Sequence, residues 1–208
     1  INLKRFVKIF GIYILVYGFM AFTQKEASLF TSIFTILLSI LTLSSYSYDE
    51  AAKWDVYALT MPVTREDIVR GKYVLMLLLA TLGYVFSTIF TIVLNYMLGV
   101  ENLFLGVESS FIAASVIVFF YSIILPLITK LGVEKARIIF FAVYMIPVGI
   151  GYLIKNVVNA GRVHIPNRLI EVSKLAFQYR RILIPVVLLV SLWISYRIAV
   201  RIYRKKEF

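Results

Sequence analysis

Long apolar runs alternate with short polar segments along most of the chain. A helix needs about 20 mostly apolar residues to cross the hydrocarbon core of a bilayer. Six runs have roughly this length and predict membrane-spanning helices at residues 6–23, 28–46, 73–98, 110–131, 136–154 and 182–200. We therefore expect an all-α, polytopic membrane protein with six transmembrane helices, in which residues 1–208 form a single transmembrane domain.

The longest polar interruption in the first half of the chain covers residues 47–73, and we call it the polar segment. It carries five acidic and four basic side chains: Asp49, Glu50, Asp55, Glu66, Asp67, Lys53, Arg65, Arg70 and Lys72. Ser47 and Glu50 are spaced as a capping box, in which a serine hydroxyl and a carboxylate bond the free N–H groups that begin a helix. This spacing predicts a short helix over residues 49–59.

The predicted short helix has two faces of different character. One face is predicted to lie against the membrane end of the bundle and carries Ala51, Trp54, Ala58 and Met61. The other face is predicted to offer a mixed-charge, aromatic surface to a partner and carries Glu50, Lys53 and Tyr57.

Pro62 is expected to end this helix, because a proline pushes the residue before it towards an extended conformation. Thr64 and Asp67 repeat the capping spacing, which predicts a second helix that continues into the span beginning at Tyr73. The polar segment is thus predicted to be a helix, a proline turn and a second helix continuous with the membrane part. Such an arrangement can transmit a displacement into the membrane. A solvated loop between two spans is the alternative interpretation.

Composition supports the membrane interpretation and changes how the charge is understood. Hydrophobic residues make up 61% of the chain and the mean hydropathy is +0.89, above what soluble domains usually show. A net charge of +11 would suggest nucleic-acid binding in a soluble protein. Because the basic residues cluster between apolar runs, membrane topology and anionic lipid explain them better, and no nucleic-acid partner is expected. The absence of cysteine from the sequence excludes disulfides and thiol chemistry.

Lysine and arginine predict the orientation, because they are enriched in cytoplasmic loops. With the N-terminus inside, 15 of the 22 lie on the cytoplasmic side, so both termini and the loop at residues 47–72 are predicted to be cytoplasmic. The extracellular loop at residues 155–181 carries six of the others and is the exception. Apolar residues recur in it at helical spacing, which predicts a short amphipathic helix in the outer interface. This helix is either a packing cap or a contact for cargo or lipid.

The sequence lacks the residues that would support chemistry of its own. It contains no Walker A pattern and no other glycine-rich phosphate loop, so ATP binding by that route is excluded. The single histidine, His164, forms no catalytic or metal constellation, and the span interiors are almost free of ionisable side chains. We expect no enzyme activity and no cofactor in this chain. Asn95 is the clearest buried polar candidate, and Pro126 and Pro147 are expected to kink their helices.

Several short motifs of the polar segment match a known pattern. They are Lys53-Trp54-Asp55, Met61-Pro62-Val63-Thr64-Arg65, Ile68-Val69 and Lys72-Tyr73. In this order they resemble the loop between the second and third spans of ABC-2 type transporter permeases, with Met61 where leucine is more usual. The six-span layout and the chain length also resemble these permeases, which are type V exporters. A narrower resemblance is to bacterial exporter permeases for amphipathic peptides, the phenol-soluble modulins.

The resemblance implies a specific assembly. The chain would be the permease subunit of an ATP-binding cassette exporter in the bacterial cytoplasmic membrane. It would work with a second permease and with separate ATPase subunits that bind ATP and magnesium. The helix at residues 50–59 would be the coupling helix that docks on the ATPase, and residues 1–10 could supply a connecting helix. The residues implied in this contact are Asp49, Glu50, Lys53, Trp54, Asp55, Tyr57, Pro62 and Arg65.

Two other functions fit parts of the pattern. A membrane scaffold or sensor would use the polar segment to bind a regulator and would need no ATPase. A secondary transporter would need titratable groups inside the spans and is disfavoured, since those groups and an obvious internal repeat are missing from the sequence. The apolar spans favour an apolar or amphipathic cargo over a small inorganic ion.

Overall fold

The computed structural model describes residues 41–136 and 177–206 continuously, and residues 11, 12, 15, 16, 18–20, 23, 138, 139, 145, 149, 152, 171 and 175 singly or in short runs. Four helices in this part have defined bounds: α1 is Trp54–Ala58, α2 is Arg65–Met97, α3 is Val107–Leu131 and α4 is Arg180–Arg204. Residues 41–51 and 133–136 are also helical. The described part of the chain contains no strand, as an all-α protein requires.

Three of the helices, α2, α3 and α4, are long and apolar enough to cross a membrane. They confirm apolar helices of membrane-crossing length at the third, fourth and sixth predicted spans. The other three predicted spans lie wholly or largely outside the described residues, so the count of six stays a prediction, as do the cytoplasmic termini. Pro147, His164 and most of the loop at residues 155–181, with its predicted amphipathic helix, also lie outside the described residues.

The helices fall into two compact units. The first unit draws on Ile1–Ser44 and Val74–Ile117, and the second on Ser45–Tyr73 and Val118–Phe208. The first unit therefore contains most of α2 and the first part of α3. The second contains nearly all of the polar segment's contacts described below, together with the rest of α3 and α4.

In the first unit α2 and α3 are joined by a turn that depends on Asn95. The Asn95 side-chain amide donates to the backbone carbonyls of Leu103 and Leu105, at 2.9 and 2.8 Å. The Asn95 backbone carbonyl accepts from the N–H of Val100 at 3.0 Å, next to Gly99, whose φ of +66° favours a residue without a side chain. Asn95 is buried, and its role is to satisfy backbone groups of the turn.

The buried positions of α2 and α3 in this unit include many small and polar side chains. Ser87, Thr91 and Ser110 are fully buried, and the hydroxyls of Ser87 and Ser110 lie 3.3 Å apart. Large apolar side chains instead occupy many exposed positions of both helices. This distribution is typical of membrane helices, because lipid solvates apolar side chains and small residues let helix backbones approach closely.

In the second unit a buried chain of hydrogen bonds joins three helices. The Tyr73 hydroxyl on α2 lies 2.6 Å from the Ser195 hydroxyl on α4, and Ser195 donates to the backbone carbonyl of Ser122 on α3. That carbonyl would normally accept from the residue four positions later, but Pro126 has no N–H. Ser195 therefore satisfies the backbone group that Pro126 leaves without a helical donor, and α3 continues through the proline as one helix.

This arrangement predicts that Pro126 and Ser195 are energetically coupled. Ser195→Ala is expected to lower the free energy of unfolding by about 1–2 kcal/mol, because a buried backbone carbonyl loses its donor. In a Pro126→Ala background the restored N–H at position 126 can bond the Ser122 carbonyl, so the same change is expected to cost clearly less. Thermal unfolding of the four proteins in detergent measures the difference.

Ser191→Ala is the matched control for this double-mutant cycle. Ser191 lies one turn before Ser195 on α4, and its hydroxyl donates to the carbonyl of Leu188 in the same helix. We expect the control change to cost little in either background. Equal costs for Ser195→Ala with and without Pro126 would contradict the coupling.

Candidate functional site

The polar segment begins inside a helix and not at a helix start. Residues 41–51 are continuously helical, so Ser47 occupies an interior position and the predicted capping box with Glu50 is wrong. The Glu50 carboxylate instead accepts from the backbone N–H of Val133, 2.6 Å away and 83 residues later in the chain. Local spacing cannot reveal a partner at that distance along the sequence.

The chain turns at Lys53, directly before α1. Lys53 has φ 50° and ψ 37°, the left-handed conformation, and it is the one non-glycine residue with a positive φ in the described part of the chain. This conformation costs a residue with a side chain roughly 1–2 kcal/mol, so surrounding contacts must hold it. The single helix predicted over residues 49–59 is therefore two helices, one ending at residue 51 and the other α1.

The turn at Pro62 and the second capping box are confirmed. α1 has ended before Pro62, which lies in a tight turn where the Val63 N–H donates to the Met61 carbonyl at 2.7 Å. The Thr64 hydroxyl accepts from the Asp67 N–H, and the Asp67 carboxylate accepts from the Thr64 N–H, both at 3.1 Å. These reciprocal bonds satisfy two backbone donors at the start of α2.

An ion pair fastens α1 to the beginning of α2. The Asp55 carboxylate and the Lys72 ammonium meet at 2.8 Å, with 21% and 19% of their side chains exposed. The ammonium also lies over the rings of Tyr46 and Tyr203, 5.5 and 5.8 Å from their centroids. Because the pair is sheltered from water and flanked by aromatic faces, we expect it to stabilise the fold more than an exposed ion pair, which contributes about 0–1 kcal/mol.

Asp49 lies beside this pair and has a different electrostatic role. It lines the same cavity of about 150 Å³ as Asp55 and Lys72. Burial raises the pKa of the Asp49 carboxyl above its usual value; Lys72 opposes the shift and Asp55 adds to it. The stability that protonated Asp49 contributes at low pH is therefore lost as the pH rises through this raised pKa.

Glu50 stabilises the start of the helical residues 133–136. Its carboxylate accepts from the N–H of Val133, at a helix N-terminus where the helix dipole favours an anion. Gly132, just before, has a φ of +82°, and a β-carbon there would lie 2.6 Å from a carboxylate oxygen of Glu50. Position 132 therefore requires glycine for two reasons, its backbone conformation and the space that the carboxylate occupies.

Arg65 satisfies backbone groups at the end of α4. Its guanidinium donates to the carbonyls of Arg204 and Lys206 at 2.7 and 3.0 Å, and to that of Tyr203 at 3.4 Å. The last carbonyls of a helix lack helical donors, and the helix dipole favours a cation beside them. Glu66 adds an exposed ion pair with Arg204 at 2.7 Å. The first turn of α2 is thus bonded to the last turn of α4.

The outer side of the polar segment is aromatic and apolar. Trp54 and Tyr57 are 42% and 58% exposed, and their ring centroids lie 5.6 Å apart. Of the four residues predicted to pack against the bundle, Ala58 is buried. The other three, Ala51, Trp54 and Met61, are exposed, so the prediction is wrong for them. The turn before α1 breaks the helical spacing on which it relied.

The eight predicted contact residues divide into two groups. One group makes contacts within the chain or lines the cavity beside them: Asp49, Glu50, Asp55 and Arg65. The other four are exposed: Lys53, Trp54, Tyr57 and Pro62, of which Lys53 also lines the cavity. Among the described residues, no three His, Cys, Asp or Glu side chains are placed to hold a metal ion. The segment is held in place by its charges and presents its aromatic side chains.

Gly132 and Ser195 support this arrangement and were not singled out from the sequence. A weak signal existed for Gly132, because a glycine directly after an apolar helical run commonly ends a helix with a positive φ. Ser195 carries no local signal, since its partners Tyr73 and Ser122 lie 122 and 73 residues away in the chain.

Gly132→Ala tests the contact with Glu50. The backbone conformation alone is expected to cost about 1–2 kcal/mol, and displacement of the carboxylate adds to this. Gly99→Ala is the matched control, since Gly99 also has a positive φ but nothing within 4 Å of its β-carbon position. We expect Gly132→Ala to lower the melting temperature more than Gly99→Ala, and the excess to disappear in a Glu50→Ala background. An excess that persists without Glu50 would contradict the assigned contact.

Asp55→Asn and Asp49→Asn distinguish the roles of two neighbouring carboxylates. At neutral pH Asp55→Asn is expected to cost about 1–2 kcal/mol, or several degrees of melting temperature, because Lys72 loses its counter-ion. Asp49→Asn is expected to cost little or to stabilise, because burial disfavours its ionised form. Thermal unfolding in detergent measures both. Equal losses from the two changes would show that the carboxylates do not have separate roles.

A family model described as ABC-2 family transporter protein matches residues 1–204 of the chain. Comparisons with curated proteins and with solved structures found no match. With its three helices able to cross a membrane, the matched chain is an integral membrane component of a transporter, and the family implies an ABC ATPase partner. The match supports the resemblance of the polar segment to ABC-2 permeases and leaves the narrower one, to exporters of amphipathic peptides, untested. The chain belongs to the ABC-2 family of transporter proteins.

Proposed function

We propose that this chain is the permease subunit of an ABC exporter and that α1, with the residues from Lys53 to Pro62, is the coupling surface on which its ATPase docks. The observation that carries the proposal is the division of the polar segment. Most of its charged side chains make contacts within the chain, while Trp54 and Tyr57 are exposed side by side. Exposed aromatic side chains are enriched in protein interfaces, where they often dominate the binding energy.

The contacts around α1 support the transmission of movement to membrane helices. Asp55 joins α1 to Lys72 near the start of α2, and Arg65 joins the first turn of α2 to the end of α4. α2 is one unbroken helix of 33 residues. A displacement of α1 would therefore act on two long apolar helices, which is what the coupling of ATP hydrolysis to transport requires.

In this proposal ATP and magnesium are bound by the separate ATPase, and two permeases form the working assembly in the bacterial cytoplasmic membrane. The cargo is apolar or amphipathic, with amphipathic peptides as the specific candidate. Residues 74–97, 110–129 and 182–196 of the three long helices include no Asp, Glu, Lys, Arg or His. Interiors of this kind suit an amphipathic cargo better than a small ion, which needs polar or charged groups to replace its water.

The double change Trp54→Ala and Tyr57→Ala is expected to weaken docking strongly without unfolding the protein. The melting temperature should change little, because both side chains are exposed. The affinity for the ATPase should fall about tenfold or more, since exposed aromatic anchors of an interface each contribute more than about 1 kcal/mol. Co-purification of the ATPase and ATP-driven uptake of an amphipathic peptide into inside-out vesicles are the two measurements.

Tyr96→Ala is the matched control for this experiment. Tyr96 is an equally large aromatic residue, 76% exposed, at the opposite end of α2 from the polar segment. The control protein should keep both ATPase binding and peptide uptake. Full ATPase binding by the double variant would overturn the docking surface. Capture at the same surface of a partner without ATPase activity would favour a membrane scaffold or sensor.

A further inference from the structure

A basic and aromatic groove lies at the C-terminal end of α4. It has a volume of about 430 Å³, and the residues that line it include Trp193, Arg197, Arg201 and Lys205. These four are spaced four residues apart, so they form one stripe along the helix. All four are exposed. We call this stripe and the surface beside it the basic groove.

The charges of the basic groove are unbalanced. Within the part of the chain that the structure describes, Arg197, Arg201 and Lys205 have no carboxylate partner. Glu66 is the one acidic residue among the described residues that line the groove, and it pairs with Arg204. Arg197 lies over the Trp193 ring, 5.8 Å from its centroid, in a geometry that holds the guanidinium near the helix surface. Three cations therefore face outward together without a counter-ion among the described residues.

The groove also lies where an apolar span ends. Residues 182–196 contain no charge, and Arg197 is the first charged residue after them. Ile194 and Ile198, which line the same groove, are 46% and 47% exposed. Tryptophan and arginine at the end of a membrane-crossing helix mark the boundary between hydrocarbon and headgroups. The surface of the groove thus changes from apolar to cationic along the helix. This change matches the boundary in a bilayer between acyl chains and headgroup phosphates.

We propose that the basic groove binds one anionic phospholipid of the membrane. The headgroup phosphate accepts hydrogen bonds from Arg197 and Arg201, Lys205 adds a third positive charge, and an acyl chain lies along Ile194 and Ile198. An anionic lipid is preferred to a free phosphate ion because the ion would leave the adjoining apolar surface uncovered. This site is separate from the coupling surface, and its occupancy does not depend on the proposed docking of an ATPase.

The test compares three probes on the purified full-length chain in detergent. Phosphatidylglycerol, phosphatidylcholine of the same acyl length and inorganic phosphate are titrated separately, and binding is measured by native mass spectrometry and by the shift in melting temperature. We expect phosphatidylglycerol to bind and to raise the melting temperature. Phosphatidylcholine should bind several-fold more weakly, because its headgroup has no net charge, and inorganic phosphate should have little effect.

Variants assign the binding to the groove. Arg197→Gln with Arg201→Gln should weaken phosphatidylglycerol binding by about 25-fold, or about fivefold for each cation removed. Arg197→Lys with Arg201→Lys keeps the charge and should retain most of the affinity. Lys53→Gln with Lys135→Gln removes the same charge from exposed positions outside the groove and should leave binding unchanged.

The proposal would be overturned by equal affinity for the two lipids, by no loss in the double glutamine variant, or by the same loss in the control variant. An equal response to inorganic phosphate would also overturn it, since the site would then be an anion site without lipid. If the double glutamine variant does not fold, Arg201→Gln alone is expected to lose about fivefold, and unchanged binding would overturn the proposal.

Discussion

Helix ends leave backbone N–H and C=O groups without helical partners, and in this protein side chains of the polar segment satisfy several of them. Glu50 accepts from a free N–H at the start of residues 133–136, and Arg65 donates to carbonyls at the end of α4. Thr64 and Asp67 bond each other's N–H groups at the start of α2. Each unsatisfied group, if buried, would cost about 1–3 kcal/mol. Most charged residues of the segment are therefore committed to the fold, which leaves the aromatic ones for a partner.

The same contacts that hold α1 would also carry its movement. A helix of five residues has little stability of its own, so α1 depends on the Asp55–Lys72 pair and on the bonds around Glu50. A change that weakens these contacts is expected to weaken both the fold and the coupling, whereas the exposed Trp54 can be changed without loss of fold. The proposed lipid site lies next to the bonds that join the first turn of α2 to the last turn of α4. Binding of an anionic lipid there would therefore affect the same two helices.

Residue spacing in the sequence correctly predicted the helices and caps that depend only on neighbouring residues. Three apolar runs became helices that can cross a membrane, and the capping box at Thr64 formed as predicted. The position of the polar segment and its candidate residues could likewise be identified, but not their division into inner and outer groups. That division depends on Glu50, whose partner Val133 lies 83 residues away, and on Lys53, whose left-handed conformation no propensity rule anticipates for lysine. Tertiary contacts overrode the local capping rule at Ser47, where the helix continues.

Thiol labelling at the coupling surface tests the central claim most directly. The sequence contains no cysteine, so Tyr57→Cys and Tyr96→Cys each introduce a single reactive thiol. The rate of reaction with a bulky maleimide is measured in detergent, with and without the bound ABC ATPase. Docking on α1 predicts that the ATPase slows labelling of Tyr57→Cys strongly and leaves Tyr96→Cys unchanged. Equal labelling rates for Tyr57→Cys with and without the ATPase would contradict the account.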